Sequence, residues 1–300
     1  MNIIKTVKRK LVSRKFKRRN RSIFGDLSLT ILLGFFALFS AYPLVYTINN
    51  AFKPLSEIFL FPPRIFVQNP TLDNFFDLSS IIGNSWIPFS IYIFNTLLIT
   101  FLGTAGTVLL STMAAYPLAK YTFPGSKVMS NLIVYALMFN STVISIPNYI
   151  IMSKLGMIDT YWAVLLPVIG STLGLYLMKN FIVQIPTSLI EAAKIDGASE
   201  YRIFSTIIIP LCKPAWITLC ILSFQTLWGT TGGNFLYSEK LKPISYALSQ
   251  IVGAGTVGGS VARTGVASAV SLIMLIVPVT VFIISQSNVL ETMASSGMKD

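Results

Sequence analysis

LSLTILLGFFALFSAYPLVYTI, Leu27 to Ile48, contains no Asp, Glu, Lys or Arg. A helix needs about 20 apolar residues to cross the hydrocarbon of a bilayer, and this run is long enough. The tract before it, KRKLVSRKFKRRNR, resembles the basic end of a secretory signal. The apolar run, however, exceeds the roughly 7–15 residues of a signal core, and no A-x-A site follows, so the sequence predicts a retained span. Residues 1–21 hold ten Lys and Arg and no acid. Such a tract can bind nucleic acid, but directly before an apolar span it reads as a cytoplasmic anchor facing anionic lipid, with no nucleic-acid partner.

Outside that run the composition has the same character. Hydrophobic residues make up 53% of the 300 and charged residues 11%, against roughly 25% charged in a soluble domain. The expectation is an all-α polytopic membrane protein with six transmembrane helices. Beyond 27–48, the spans are placed at about 91–119, 128–151, 161–182, 214–231 and 265–284. The chain has no histidine, which excludes a Ser-His-Asp triad, a Ser-His intramembrane protease and any His-based metal site. Cys212 and Cys220 fit no CxxC spacing and read as small buried hydrophobes.

With the N-terminus inside, 17 of the 23 Lys and Arg fall on cytoplasmic segments and six on external ones. Both termini are therefore expected in the cytoplasm. No Asp, Glu, Lys or Arg lies in the middle of a predicted span. Ion-coupled carriers usually keep one there, so the pathway suits a neutral or hydroxyl-rich solute powered from elsewhere. The external loop at about 50–87 has prolines at 62, 63 and 70, which favour an extended chain, and Thr71–Asn74 begins a short helix. The external loop at 232–262 is rich in Gly and Ser. It contains Gly253-Ala-Gly255-Thr-Val-Gly258, a literal GxGxxG that lacks the strand and helix a dinucleotide site requires. Gly170 and Gly174 mark a close helix-packing point.

The longest polar stretch between the middle spans is IPTSLIEAAKIDGASEYRIFSTIIIPLCKP, Ile185 to Pro214. Ser188 and Glu191 have the S-x-x-E spacing of a capping box, and Gly197 has the place of a C′ residue at positive φ. A second short helix, about 198–208, is expected to end before Pro210. Leu189, Ile190, Ala193 and Ile195 give this elbow an apolar side; Glu191, Lys194, Asp196, Glu200 and Arg202 give it a charged one. From the residues alone it is an amphipathic interfacial elbow.

Glu191-Ala192-Ala193, Gly197 and Ile207-x-Ile209-Pro210 resemble the EAA loop of binding-protein-dependent ABC importers, with Ile209 where Leu is usual. Asp196 before the glycine is similar to the sugar-importer version. The likeness extends to Ala114–Gly125 and to the short tail ending Gly297-Met298-Lys299-Asp300. It points to the permease subunits of carbohydrate importers, in the group of the maltose-type second permease and the lipoprotein/oligosaccharide permeases. That resemblance implies a type I ABC importer permease fold. It divides the chain into a basic cytoplasmic segment 1–26, a six-helix permease domain 27–285 with its EAA loop at 185–213, and a cytoplasmic tail 286–300.

The resemblance also implies the mechanism. Glu191 would be the charged anchor on a cytoplasmic ATPase, Ala192 and Ala193 would allow close approach, and Asp196, Gly197, Ile207 and Pro210 would shape the coupling loop. The partners would be a pair of ATPase subunits, a second and different permease, an extracytoplasmic solute-binding protein, the bilayer, and a sugar, an oligosaccharide by family likeness. The chain has no G-x-x-x-x-G-K-[ST]; it binds no cofactor of its own and is not an enzyme, and ATP and Mg would sit in the ATPase. The location would be the bacterial cytoplasmic membrane. A sugar path needs hydroxyl-directed hydrogen bonds and aromatic faces, for which Asn95, Asn140, Ser141, Asn148, Gln225 and Trp228 are candidates. Interhelical hydrogen bonding is the competing use of Asn140-Ser141-Thr142. In the family an aromatic-Asn segment ends the fifth span; here glycines separate Trp228 from Asn234. The alternative function is a self-sufficient secondary carrier or channel for a neutral solute.

Overall fold

The structure, a computed structural model, describes residues 23–81, 87–253 and 260–296. The basic tract before residue 23, the GxGxxG stretch beyond Gly253 and the tail after residue 296 lie outside the described residues. Every regular element among the described residues is helical. In chain order these are α1 (Ile23–Phe52), α2 (Leu55–Ile58), α3 (Asp73–Ile81), α4 (Phe89–Lys120), α5 (Ser126–Leu137), α6 (Ser141–Lys154), α7 (Tyr161–Ile169) and α8 (Thr172–Val183). They continue with α9 (Thr187–Ile195), α10 (Glu200–Ile203), α11 (Ile209–Leu211), α12 (Lys213–Trp228), α13 (Ile244–Gly253) and α14 (Ser260–Ser296). Four helical stretches, namely α1, α4, α7 continued by α8, and α14, are long and apolar enough to cross a membrane, or up to six if each of two bent pairs counts as one span.

The chain divides into two compact units, 1–47 and 48–300. The described part of the first is most of α1, a helix of uncharged residues after Asp26. The second is built around α4, which packs against α7, α8, α12 and α13. The α4 helix is inside-out relative to a soluble helix. Its buried face carries Asn95, Thr96, Gly103, Thr107, Ser111 and Thr112, while Phe94, Phe101, Leu109 and Met113 are exposed. In a bilayer, acyl chains solvate the large apolar side chains as well as a core would. Small residues are therefore selected where helices approach. A Cβ on Gly103 would meet Leu227 Cδ1 at 2.5 Å, and one on Gly174 would meet Ser111 Oγ at 2.6 Å. Gly174 is thus a close-packing point, whereas Gly170 sits at the break between α7 and α8, with only backbone nearby.

Three expected features differ. The third span is two helices, bent by 115°. Asn140 is the reason: its side chain accepts the Thr142 N–H at 2.9 Å and so starts a new helix. The expected loop at 232–262 includes α13, whose Ile244, Ala247 and Ile251 bury against Val266 and Val270 of α14. The second arm of the elbow does not end before Pro210. A π turn over Phe204–Ile208 carries it on to Leu211, with Ile209 N–H donating to Phe204 O. Proline cannot donate to the fourth carbonyl back and crowds it; the wider turn just before Pro210 absorbs that misfit.

Beyond Phe52, the chain up to α3 is tied down by polar contacts. Glu57 accepts from the Gln68 and Asn69 backbone N–H groups at 3.1 and 2.8 Å. Asn74 donates to the Ala51 and Lys53 carbonyls. The Pro-rich stretch between is not helical, and α3 starts at Asp73 as the sequence predicts.

Candidate functional site

The elbow forms at the C-terminal end of α4. Lys120 donates from Nζ to the Val183 carbonyl at 3.2 Å and to that of Ile185, which fixes where the chain leaves α8. Pro186 then occupies the N-cap of α9, with no side-chain cap bond. The capping box expected of Ser188 and Glu191 is therefore not formed. The helix begins directly after Pro186, so Ser188 lies inside the first turn.

The end of α9 follows its expected chemistry. Gly197 has φ +78°, and no atom lies within 4 Å of where its Cβ would be. Glycine is favoured there by conformation, not space. Gly197 N–H donates to Lys194 O at 3.0 Å and Ala198 N–H to Ala193 O at 2.9 Å, the paired bonds of a Schellman turn. Ser199 then caps α10, accepting from the Arg202 N–H at 3.4 Å.

One side of the elbow is buried. Ile190, Ile203 and Ile208 pack with Ala115, Tyr116, Met178, Ile182 and Cys212, and Ala193 and Ile207 lie against them. The other side faces out. Glu191, Ala192, Asp196 and Pro210 are exposed, as are Ile195 at 86% and Tyr201 at 80%. Among the described residues Glu191 has no hydrogen-bond or ion-pair partner. The apolar side expected from the sequence is thus divided: Ile190 and Ala193 face the bundle, while Leu189 and Ile195 do not.

Charged and aromatic groups meet at the junction with α4. Glu200 pairs with Lys194 at 2.8 Å and accepts from the hydroxyls of Tyr121 at 2.6 Å and Tyr116 at 3.1 Å. Lys194 holds the Glu200 carboxyl below its usual range, with Tyr121 adding to the effect. The same contacts raise the Lys194 ammonium. The sequence reading placed Lys194 and Glu200 only on a charged face. The signal it lacked was tertiary, because Tyr116 and Tyr121 are about 80 residues away.

No hydrogen bond or ring contact among the described residues joins one pathway candidate to another. Asn95 is 1% exposed; its amide donates to the Lys240 and Lys242 carbonyls at 2.8 and 2.9 Å and accepts from Tyr161 at 2.7 Å. Trp228 is buried, donating to the Met274 carbonyl at 2.8 Å and stacking on Phe224. Asn140 is a helix cap, as above. The Ser141 side chain lies outside the described residues. Asn148 is half-buried and Gln225 exposed, and neither has a hydrogen-bond partner among the described residues.

At the N-terminal end of α4 a second polar assembly ties the segment after Trp228 to the bundle. Asp159, at φ +62°, accepts from the Tyr237 and Ser238 N–H groups at 2.9 and 2.8 Å and from the Ser238 hydroxyl. Tyr92 donates to Glu239 at 2.7 Å. Thr96 accepts the Ile244 N–H at 2.8 Å, so α13 is anchored on α4.

Comparison with known proteins places this architecture. Residues 27–293 match the family described as binding-protein-dependent transport system inner membrane component. The galactooligosaccharides transport system permease protein GanQ of Bacillus subtilis (strain 168) is 31% identical over 294 residues, 96% of this chain and 99% of that one. The polygalacturonan/rhamnogalacturonan transport system permease protein YtcP of the same organism is 31% identical over 229 residues, 76% of this chain and 78% of its own. A bacterial ABC transporter involved in the import of the acidic polysaccharide alginate has a solved structure with the same fold. It aligns with a TM-score of 0.76 at 23% identity, covering 90% of this chain and 99% of that one. The chain is thus a multi-pass membrane transport subunit and not an enzyme, and it belongs to the family of binding-protein-dependent transport system inner membrane components.

Proposed function

We propose that this chain forms half of a translocation pathway for an oligosaccharide and takes its driving force through the elbow at 185–213. The observation that carries this reading is the two-sided elbow. Ile190, Ile203 and Ile208 fix it to the bundle, while Glu191, Ile195 and Tyr201 stand free beyond it. Two exposed carboxylates, Glu191 and Asp196, beside two exposed large side chains on a turn stiffened by its own hydrogen bonds, suit docking into a groove with a basic group. A pair of cytoplasmic ATPase subunits, which would hold ATP and Mg, is the fitting partner. Their closure would bring two such elbows together and switch the cavity between inward- and outward-facing states.

Oligosaccharide as cargo is supported by the relatives named for galactooligosaccharides and for polygalacturonan/rhamnogalacturonan. An extracytoplasmic binding protein would deliver it, and a second, different permease would complete the path. Counting each bent pair as one span gives six spans. With the basic tract inside, both termini and the elbow then face the cytoplasm of a bacterial cell membrane, and the Asp159 assembly faces out.

Affinity purification of the tagged chain from its native membrane tests this. A second permease and an ATPase are expected to accompany it. Glu191→Ala is expected to lower ATPase retention by about 10-fold or more, since it leaves a partner charge unpaired at the interface. Gly197→Val, which forces a β-branched residue to positive φ, is expected to do the same. Recovery of the chain alone, moving solute in vesicles without ATP, would replace the reading with a secondary carrier.

A further inference from the structure

Glu200 lies outside the motif that marks the elbow, yet three groups converge on its carboxylate. One oxygen pairs with Lys194 Nζ at 2.8 Å. The other accepts from Tyr121 at 2.6 Å and from Tyr116 at 3.1 Å. Lys194 also donates to the Tyr121 hydroxyl at 3.0 Å and lies 4.8 Å from the centre of its ring. The two phenol oxygens are 3.2 Å apart, and their rings meet edge to face. Three elements thus join at one point. Lys194 is in the last turn of α9, Glu200 starts α10 across the Gly197 turn, and Tyr116 and Tyr121 lie near the end and at the C-cap of α4.

Building on the docking role given to the elbow above, we propose that Glu200, Lys194, Tyr121 and Tyr116 are positioning residues for transport, forming the latch through which motion of the elbow is passed to α4. The apolar contacts between Ile190, Ile203 and Ala115 hold the elbow down, but such contacts are non-directional and allow sliding. Charge-assisted hydrogen bonds fix direction and register. A single exposed ion pair is worth little; this one is tied into a network whose Tyr116 is 7% exposed. The latch also staples α9 to α10, so a push on Glu191, Ile195 or Tyr201 reaches α4 through both arms together. The 32-residue α4 runs on to Asn95, Thr96 and Tyr92, which hold the segments carrying Glu239, Lys242 and Ile244. Motion of α4 therefore reaches the opposite end of the bundle.

The test is hydrogen–deuterium exchange on the purified complex of full chain, permease partner and ATPase, with and without ATP plus vanadate. In the unaltered complex, nucleotide should change protection both in the elbow, 187–203, and in the end of α4, 116–121. In Glu200→Gln the elbow response should persist while the 116–121 response falls by about five- to ten-fold, as expected for loss of a charge-assisted hydrogen bond at a half-exposed site. Tyr121→Phe should produce the same loss, and the double variant no more than either alone. Lys194→Arg, which keeps the cation, should retain most of the response. A residue that only stabilised the fold would alter protection equally with and without nucleotide, which would overturn the latch. An unchanged 116–121 response in Glu200→Gln and Tyr121→Phe would also overturn it while leaving the docking role intact. Absence of an elbow response in the unaltered complex would remove the docking role and the latch with it.

Discussion

Asp159 shows how much one side chain contributes when the backbone around it is unusual. It sits at φ +62°, a conformation that Asp and Asn tolerate better than other residues with a Cβ. From there its carboxylate accepts two backbone N–H groups and the Ser238 hydroxyl. The Ser238 hydroxyl is the largest cause holding this carboxyl below its ordinary value, followed by the N–H groups of Ser238 and Tyr237. A carboxylate with a depressed pKa contributes stability that is present above its unfolded value and lost as pH falls through the folded one. The clamp should therefore be closed at neutral pH and open only below about pH 4. Exchange protection factors of the Tyr237 and Ser238 amides, measured across that range, are expected to stay flat and then drop. Asp159→Asn keeps the backbone geometry and removes the charge, so its protection should be about five-fold lower at neutral pH and no longer vary across the acid range. A wild-type profile in the Asn variant would show that the charge has no part in the clamp.

At the scale of helices, the sequence was most legible where composition alone decides and least where neighbours do. The uncharged run at 91–119 became α4 almost to the residue, because bilayer thickness and backbone hydrogen bonding leave few alternatives. Asn140-Ser141-Thr142 was seen as a polar cluster within a span, when its asparagine is the cap that ends that span as a straight helix. The capping box at Ser188 had the right spacing, but Pro186 took the N-cap first. Gly197 was legible because positive φ is a local property, and Glu200 was not because two of its three partners, Tyr116 and Tyr121, come from the end of α4. Gly174 tests the packing rule behind the bundle. Its added Cβ would stand 2.6 Å from Ser111 Oγ and 3.1 Å from Leu219 Cδ1, whereas at Gly170 the nearest neighbour is a carbonyl at 3.5 Å. Gly174→Ala is expected to destabilise the detergent-purified protein by about 1–3 kcal/mol through overpacking, read as a lowered Tm. Gly170→Ala should change it little. Adding Ser111→Ala to Gly174→Ala removes the closest atom and should recover much of the loss; if it does not, the α4–α8 approach is not what limits residue size at Gly174.

At the scale of the molecule, α4 links two ends of opposite purpose. At about 1.5 Å per residue its 32 residues measure roughly 48 Å, more than the roughly 30 Å hydrocarbon core. In the proposed topology, where α4 spans the bilayer, the elbow at its C-terminal end and the Asp159 clamp at its N-terminal end lie on opposite sides of the membrane. Which end faces the cytoplasm is a question of charge: the ten basic residues before residue 22 favour retention of the chain's N-terminus, which in the proposed six-span topology puts the C-terminal end of α4 on the same side. Substituted-cysteine labelling decides it. Cys212 is buried and Cys220 half-buried, so replacing both with Ala gives a silent background. Into it go Ile195→Cys and Tyr237→Cys, at side chains 86% and 59% exposed. In cells expressing the chain without an ATPase to cover the elbow, a membrane-impermeant maleimide should label position 237 in intact spheroplasts and position 195 only after permeabilisation. The reverse pattern would invert the orientation and take the elbow out of reach of any cytoplasmic partner. Neutralising the Lys and Arg of residues 1–21 weakens the determinant at its source, so labelling of 195 should then begin in intact spheroplasts. If it stays protected, the 13 basic residues that follow set the orientation, and the N-terminal tract serves only to hold anionic lipid.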